Sequence, residues 1–400
     1  MTAVSPRELG QPWRPPEPRD LPDLRARLAE YTTSMEAMAQ LRQVLAAGRT
    51  TLLPTVAGLK PETGAAILLS KAEEHRLRKA QLYYASADMT ALAVAAANVP
   101  PTEPVRESRV PEPFGLMVFA SPIGGYAEDL AEVAAGTPIN REGVSGTVTI
   151  PIVAVSWERS WTPHNMRVDD QHPVRWHAQT TPGELEPVRP DIHGVWLTFY
   201  AAPGAWVASL PRGTVVGSMP DGSPMTAGDV QDHPRDAPLN WDNETLLTYG
   251  VPFGEADPDT SQQWSQVVYT AWQLMGQQGK SQLTEVEEVP RNRDGRKRDQ
   301  RAGITSPQTV RVVNVHIAHR PSRAAAEQDE GGSTGRRAPQ WTCRWPVPPY
   351  RRYTCLNPRA HADGGCEHED RIVAAHYRGP ADMPLRVPQT VRLWDHQPED

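Results

Sequence analysis

Apolar residues recur every three or four positions in three stretches of the chain. Between residues 21 and 46, Leu24, Leu28, Tyr31, Met35, Met38, Leu41 and Leu45 share one helical face. Asp23 stands near the start of this run and Gly48 just past its end, where caps are expected. A second helix is predicted over 62–98, with Leu68, Ala72, Leu82, Met89 and Leu92 inward and the charges of EEHRLRK turned to water. Together they predict a helical hairpin over 21–99. Its methionine-bearing stripe suits either the hairpin's own seam or the seam of a dimeric scaffold. The clearest helix covers 259–276, with Trp264, Val268, Ala271, Trp272 and Met275 on one face and Thr260 or Ser261 placed to cap it.

Strand patterns lie between and after these helices. FGLMVFA (114–120), TVTIPIVAVSW (147–157) and GVWLTFYAA (194–202) are apolar, β-branched or aromatic runs bounded by turn residues. Residues 158–190 are polar and read as a long loop. Strands separated by long irregular stretches imply an antiparallel or mixed sheet, giving an α+β middle module over 111–289. After it, RNRDGRKRDQR marks a basic linker over 290–308, and residues 309–396 read as a small β-rich C-terminal module. That module is interrupted by the low-complexity segment AAAEQDEGGSTGRR. Residues 1–20 are proline-rich and charged and read as a disordered arm. The predicted class is α+β: helical hairpin, mixed or antiparallel-sheet middle, β-rich end.

Composition narrows this layout. The 41 prolines among 400 residues are about twice the usual share and predict many short elements. A net charge of −7 excludes a surface coated throughout with cations for nucleic acid. Three cysteines cannot make a full disulfide framework, and the first twenty residues lack the apolar core of a signal peptide. No run approaches the roughly eighteen apolar residues of a membrane span. The expectation is a cytoplasmic protein with reduced thiols and no membrane partner.

The candidate chemistry concentrates in the C-terminal module. Cys343, Cys355, His361, Cys366 and His368 offer thiolates and imidazoles, the donors of a structural zinc. A loop as rich in proline and glycine as LNPRAHADGGCEHED cannot order itself by a core, so a metal would supply that order. No Cys-x-x-Cys pair is present, and an incidental cluster in a surface loop competes with the zinc reading. His361 and Asp363 would also serve a metal-dependent hydrolase or nuclease with an open coordination position.

A second constellation is basic and aromatic. Arg291, Arg293, Arg296, Lys297 and Arg298 lie in the linker, and Arg344, Trp345, Tyr350, Arg351 and Arg352 in the module that follows. Guanidinium groups pair with phosphates and aromatic faces stack on unpaired bases, so this set fits an RNA or protein partner. A solvated linker beside an ordinary core is the plainer reading. MGQQGKS lacks the first glycine of a phosphate-binding loop and follows a helix instead of a strand. No Gly-x-Ser-x-Gly elbow or His-Glu-x-x-His pair exists, so a hydrolase has no motif behind it. The leading expectation is a non-enzymatic protein that binds RNA or protein through the C-terminal module, with the metal-dependent hydrolase or nuclease and the dimeric scaffold as alternatives.

TCRWPVPPYRRYTC followed by RIVAAHYRGPADMPL resembles a C-terminal domain of actinobacterial and actinophage proteins. That domain is in turn similar to the end of a plasmid- and phage-borne anti-CRISPR family directed at type V-A effectors. Arg378, Gly379, Pro380, Asp382, Pro384 and Leu385 match its tail, while Pro349 and Tyr350 replace a His-Trp pair. The resemblance covers under a quarter of the chain. It implies a protein of mobile-element origin that acts on effector synthesis, through nascent chain or messenger, and carries no catalytic residue over.

Overall fold

The structure, a computed structural model, describes residues 13–46, 52–129, 147–163, 174–181, 184–202, 211–218, 223–232, 239–277, 282–301, 308–315, 345–347, 349–357, 365–373 and 376–378. The chain divides into two compact units, Met1–His316 and Ile317–Asp400. The first unit runs α1 (Leu21–Thr32), α2 (Met35–Ala46), β1 (Leu52–Val56), α3 (Pro61–Lys79), β2 (Gln81–Ala85), α4 (Ala87–Ala97), β3 (Phe114–Phe119), β4 (Gly124–Asp129) and β5 (Thr147–Trp161). It continues with β6 (Val174–Thr181), β7 (Glu184–Pro187), β8 (Gly194–Ala201), β9 (Val215–Ser218), β10 (Pro224–Thr226), α5 (Ala227–Asp232) and β11 (Asn240–Thr248). Then follow α6 (Ser261–Gly276), β12 (Thr284–Val289), α7 (Arg293–Arg301) and β13 (Val310–Val315). The second unit holds β14 (Trp345–Val347), β15 (Tyr350–Cys355), β16 (His368–Val373) and β17 (His376–Arg378), paired as β14 with β17 and β15 with β16. The class is α+β, as the patterns predict.

The first unit is built on a mixed sheet of order β11-β8-β5-β3-β2-β13-β12, with β4 also pairing β5. β2 is parallel to both β3 and β13, and the other neighbours are antiparallel. α1 and α3 cover one face, and α4 and α6 the other. β8 is buried along its whole length because both of its faces are covered. The α6 face is aromatic: Trp157 meets Trp272 at 5.2 Å and Phe199 meets Trp264 at 5.5 Å. Opposite Trp157 in the β3–β5 pairing stands Gly115, where an added Cβ would lie 2.0 Å from the indole, so only glycine lets the ring cross.

Five expectations are revised by this topology. The single helix expected over 62–98 is split by β2, whose Leu82 and Tyr83 are buried between two parallel neighbours. Ser86 restarts the helix by accepting from the Met89 N–H at 3.3 Å. The first helix also breaks, at Ser34, whose hydroxyl accepts from the Ala37 N–H. The hairpin is therefore no separate module; its helices wrap the sheet. Residues 310–315, read as part of the C-terminal module, are β13 of the first unit, where Val310 and Val313 find a dry position beside β2. The basic linker contains α7, capped by Asn292, which accepts from the Gly295 N–H at 2.7 Å. Within the loop read over 158–190, β6 and β7 form a small sheet with β1, and Trp161, Trp176 and Trp196 pack with centroids 4.9–5.5 Å apart. Cys343, Arg344, His361, Asp363 and the tail matched by the resemblance from Gly379 onward lie outside the described residues, as do residues 1–12 of the arm expected to be disordered. The described part of that arm, 13–20, is instead tied to the first unit, where Trp13 Nε1 donates to the Phe119 carbonyl at 2.8 Å and Pro18–Asp20 form a single 3-10 turn.

The charges of EEHRLRK are not all turned to water. Glu73 and Arg76 are 0% and 1% exposed, on the side of α3 that faces β5 and β8. Arg76 Nε donates to Glu73 Oε2 at 2.8 Å. Ser156 donates to the same carboxylate at 2.5 Å, Thr198 at 3.0 Å, and the Tyr200 hydroxyl also donates to it. Glu158 stands 3.6 Å from Arg76, and the guanidinium lies over the Trp196 ring. Four donors on one buried carboxylate meet the conditions under which a charge survives burial.

Burial also sets the alkaline limit of the fold. The Tyr83 phenol is pushed up to about 12 by burial, with the Arg311 charge pulling the other way. Burial and the neighbouring Glu73 raise Tyr200 as well. An ordinary phenol ionises near 10. The folded values lie above the unfolded one, so the contribution is whole below about pH 10 and is lost as pH rises through the folded values. Urea midpoints should therefore hold steady to about pH 9.5 and fall by pH 11.5. A flat profile to that pH would contradict the burial of these hydroxyls. Among the described residues, no helix is long and apolar enough to cross a membrane.

Candidate metal centre and partner face

β15 and β16 form an antiparallel hairpin whose register runs from Tyr350 opposite Val373 to Cys355 opposite His368. The Leu356 N–H donates to the Glu367 carbonyl at 2.8 Å and closes the mouth. Cys355 and His368 are thus a direct cross-strand pair, and Cys366 sits two residues before His368 on the incoming chain. The two sulfurs and an imidazole nitrogen all lie within 4.8 Å of one another, on half-buried side chains. Donors around one tetrahedral zinc stand roughly 3.5–3.8 Å apart, from bond lengths of about 2.0–2.3 Å. A contraction of about an ångström or less would close the cluster on an ion, so the three residues fit that group in both chemistry and placement.

The imidazole is supported from one side. The Tyr353 ring stacks on His368 with centroids 5.0 Å apart and planes 10° apart. On the same face of β15, Arg351 reaches Asp370 at 3.7 Å, and both side chains are nearly inaccessible. Arg351 is therefore tied internally, not offered to a partner.

The other face of the hairpin carries Tyr350 and Arg352 from β15 and Arg371 from β16. Arg352 stands directly opposite Arg371. Arg371 pairs with Glu369 along its own strand at 3.0 Å, while Arg352 is exposed. Tyr350 and Tyr353 are 40% and 61% exposed, and Leu356 at the mouth is 45% exposed. Arg371 was not singled out by composition; the hairpin register is the signal that brings it to Arg352.

The remaining basic candidates lie elsewhere. Arg291 is buried in the first unit between Asp23 at 2.5 Å and Asp299 at 2.7 Å. Arg293, Arg296, Lys297 and Arg298 are exposed on α7 of that unit. Trp345 is in β14, opposite Arg378. The structure thus brings Cys355, Cys366 and His368 together, and Tyr350 beside Arg352, but places the α7 cations in the other compact unit. Comparison of the whole chain with protein-family models, with curated proteins and with solved structures gives no match.

Proposed function

We propose that the C-terminal unit is a zinc-held hairpin that binds single-stranded RNA on the face carrying Tyr350, Arg352 and Arg371, without catalysing a reaction. The observation that carries this reading is the Arg352–Arg371 pair. Like charges directly opposite one another weaken a sheet, and a phosphate between them turns that cost into attraction. The exposed Tyr350 ring on the same face offers a surface on which an unpaired base stacks. Zinc would hold the hairpin through Cys355, Cys366 and His368, with Cys343 or His361 as the fourth donor the sequence supplies. A thiolate-rich set of this kind suits a closed structural site better than a hydrolytic one. The resemblance to the anti-CRISPR C-terminal domain, which implies action on a messenger or nascent chain, is in keeping with such a binder.

Fluorescence anisotropy of a labelled single-stranded RNA with the full protein, across a series of salt concentrations, tests this. Arg352→Ala should weaken binding by about tenfold and reduce the salt slope by about one. Tyr350→Ala should cost about 1–3 kcal/mol with little change in slope. If the wild-type protein leaves RNA free at low salt, or if Arg352→Ala leaves affinity and slope unchanged, the face belongs to a protein partner and the RNA reading fails.

A further inference from the structure

Four arginines from three elements converge on one small pocket in the first unit. Arg25 comes from α1, Arg78 from the end of α3, Arg291 from just before α7, and Arg298 from α7 itself. The cavity is about 150 Å³. That is below the roughly 300–1,000 Å³ of sites for drug-sized ligands, and it is enough for one compact group. We infer that this pocket binds a single tetrahedral oxyanion, a phosphate group, independently of the RNA reading of the other unit.

The arrangement is a buried floor with an exposed rim. Arg25 and Arg291 are 3% and 5% exposed and are fixed in place. Arg25 donates to the Ala80 carbonyl at 2.8 Å. Arg291 is held by Asp23 and Asp299; the second contact is a 2.7 Å ion pair without hydrogen-bond angles. These two carboxylates are both directed at Arg291 and serve to orient it. Arg78 and Arg298 stand at the rim, 59% and 65% exposed, with Arg78 near Glu74 and Arg298 3.8 Å from Asp23.

Four guanidiniums therefore face three carboxylates, so the pocket keeps a net positive charge between a buried floor and an exposed rim. Burial lowers the Arg25 guanidinium to about 10; the Arg291 charge adds to that effect and Asp299 opposes it. An anion in the pocket would offset both the burial of Arg25 and its repulsion by Arg291, and the planar fork of arginine matches phosphate oxygens in pairs. The chain is fitted for this approach at Gly295, where a Cβ would lie 2.4 Å from Arg291 Nε. Glycine there lets α7 lie directly on the guanidinium.

Calorimetric titration of the full protein with inorganic phosphate, with uridine 5′-monophosphate and with uridine tests the inference. Phosphate, the monophosphate, or both should bind, and uridine should not. Phosphate alone identifies the free ion as the ligand, and the monophosphate identifies a phosphate ester. Arg298→Gln, at an exposed position that folding does not depend on, should weaken binding by about tenfold. Arg301→Gln removes the same charge from the same helix outside the pocket and should change it by less than about twofold. Absence of binding to both phosphates, or equal losses in the two variants, overturns the site.

Discussion

Replacing Glu73 with alanine should lower the stability of the first unit by about 3–5 kcal/mol, the cost of leaving one member of a buried ion pair without its partner. Arg76 is 1% exposed and cannot reach water, and Glu158, an ion-pair partner 3.6 Å away, offsets only part of the lost carboxylate. Ser156, Thr198 and Tyr200 lose their acceptor in the same step. Urea denaturation followed by tryptophan fluorescence reads the loss directly, since Trp157, Trp161 and Trp196 are all buried. The double variant Glu73→Leu, Arg76→Met should recover most of the loss, because removing both charges ends the desolvation cost that one alone incurs. Recovery should stop short of the wild-type value, since three hydroxyls stay without an acceptor. A loss below about 1 kcal/mol in the single variant, or a double variant no more stable than the single, would show that the network contributes little.

The position of this network was written in the sequence and obscured by residue type. Ala66, Leu69, Glu73, Arg76 and Ala80 follow one another at intervals of three and four, so the apolar stripe of α3 runs straight through the two charges. Charge suggested solvent; period pointed to the sheet, and period decided. Elsewhere local pattern sufficed. α6 starts where Thr260 accepts from the Gln263 N–H, and β3 and β8 match their apolar runs. What local pattern could not supply was partnership. β2 is five residues between two good helices, and it is a strand only because β3 and β13 pair with it. β13 comes from some 230 positions further along, so composition placed it with the wrong neighbours. The same limit applied at the hairpin. Clustering of Cys and His residues was visible by spacing, but the register that sets Arg352 against Arg371 and turns Arg351 toward Asp370 was not.

Chelation should dissolve the β15–β16 hairpin while leaving the first unit folded. A single two-stranded hairpin is at best marginally stable in water, and the described pairings of the second unit are two such ribbons. Its buried apolar contribution is correspondingly small: among the described residues there, Ile372 stands almost alone at 2% exposed. Structural zinc sites supply on the order of 10–16 kcal/mol of apparent binding free energy, far more than such a core can. Native mass spectrometry of protein prepared with added zinc should show one ion per chain, lost with a strong chelator. Hydrogen exchange should then lose protection across residues 350–373 and keep it in β8 and β5. Cys355→Ser and Cys366→Ser should each reproduce the chelated pattern without chelator, and Arg352→Ala should not, because it removes charge from the face without touching a donor. Of the two candidates for the fourth position, only the true ligand should behave like Cys366 when Cys343→Ser and His361→Ala are compared. A chain that takes up no zinc, or a hairpin equally protected before and after its removal, would leave Cys355, Cys366 and His368 as neighbours by register alone.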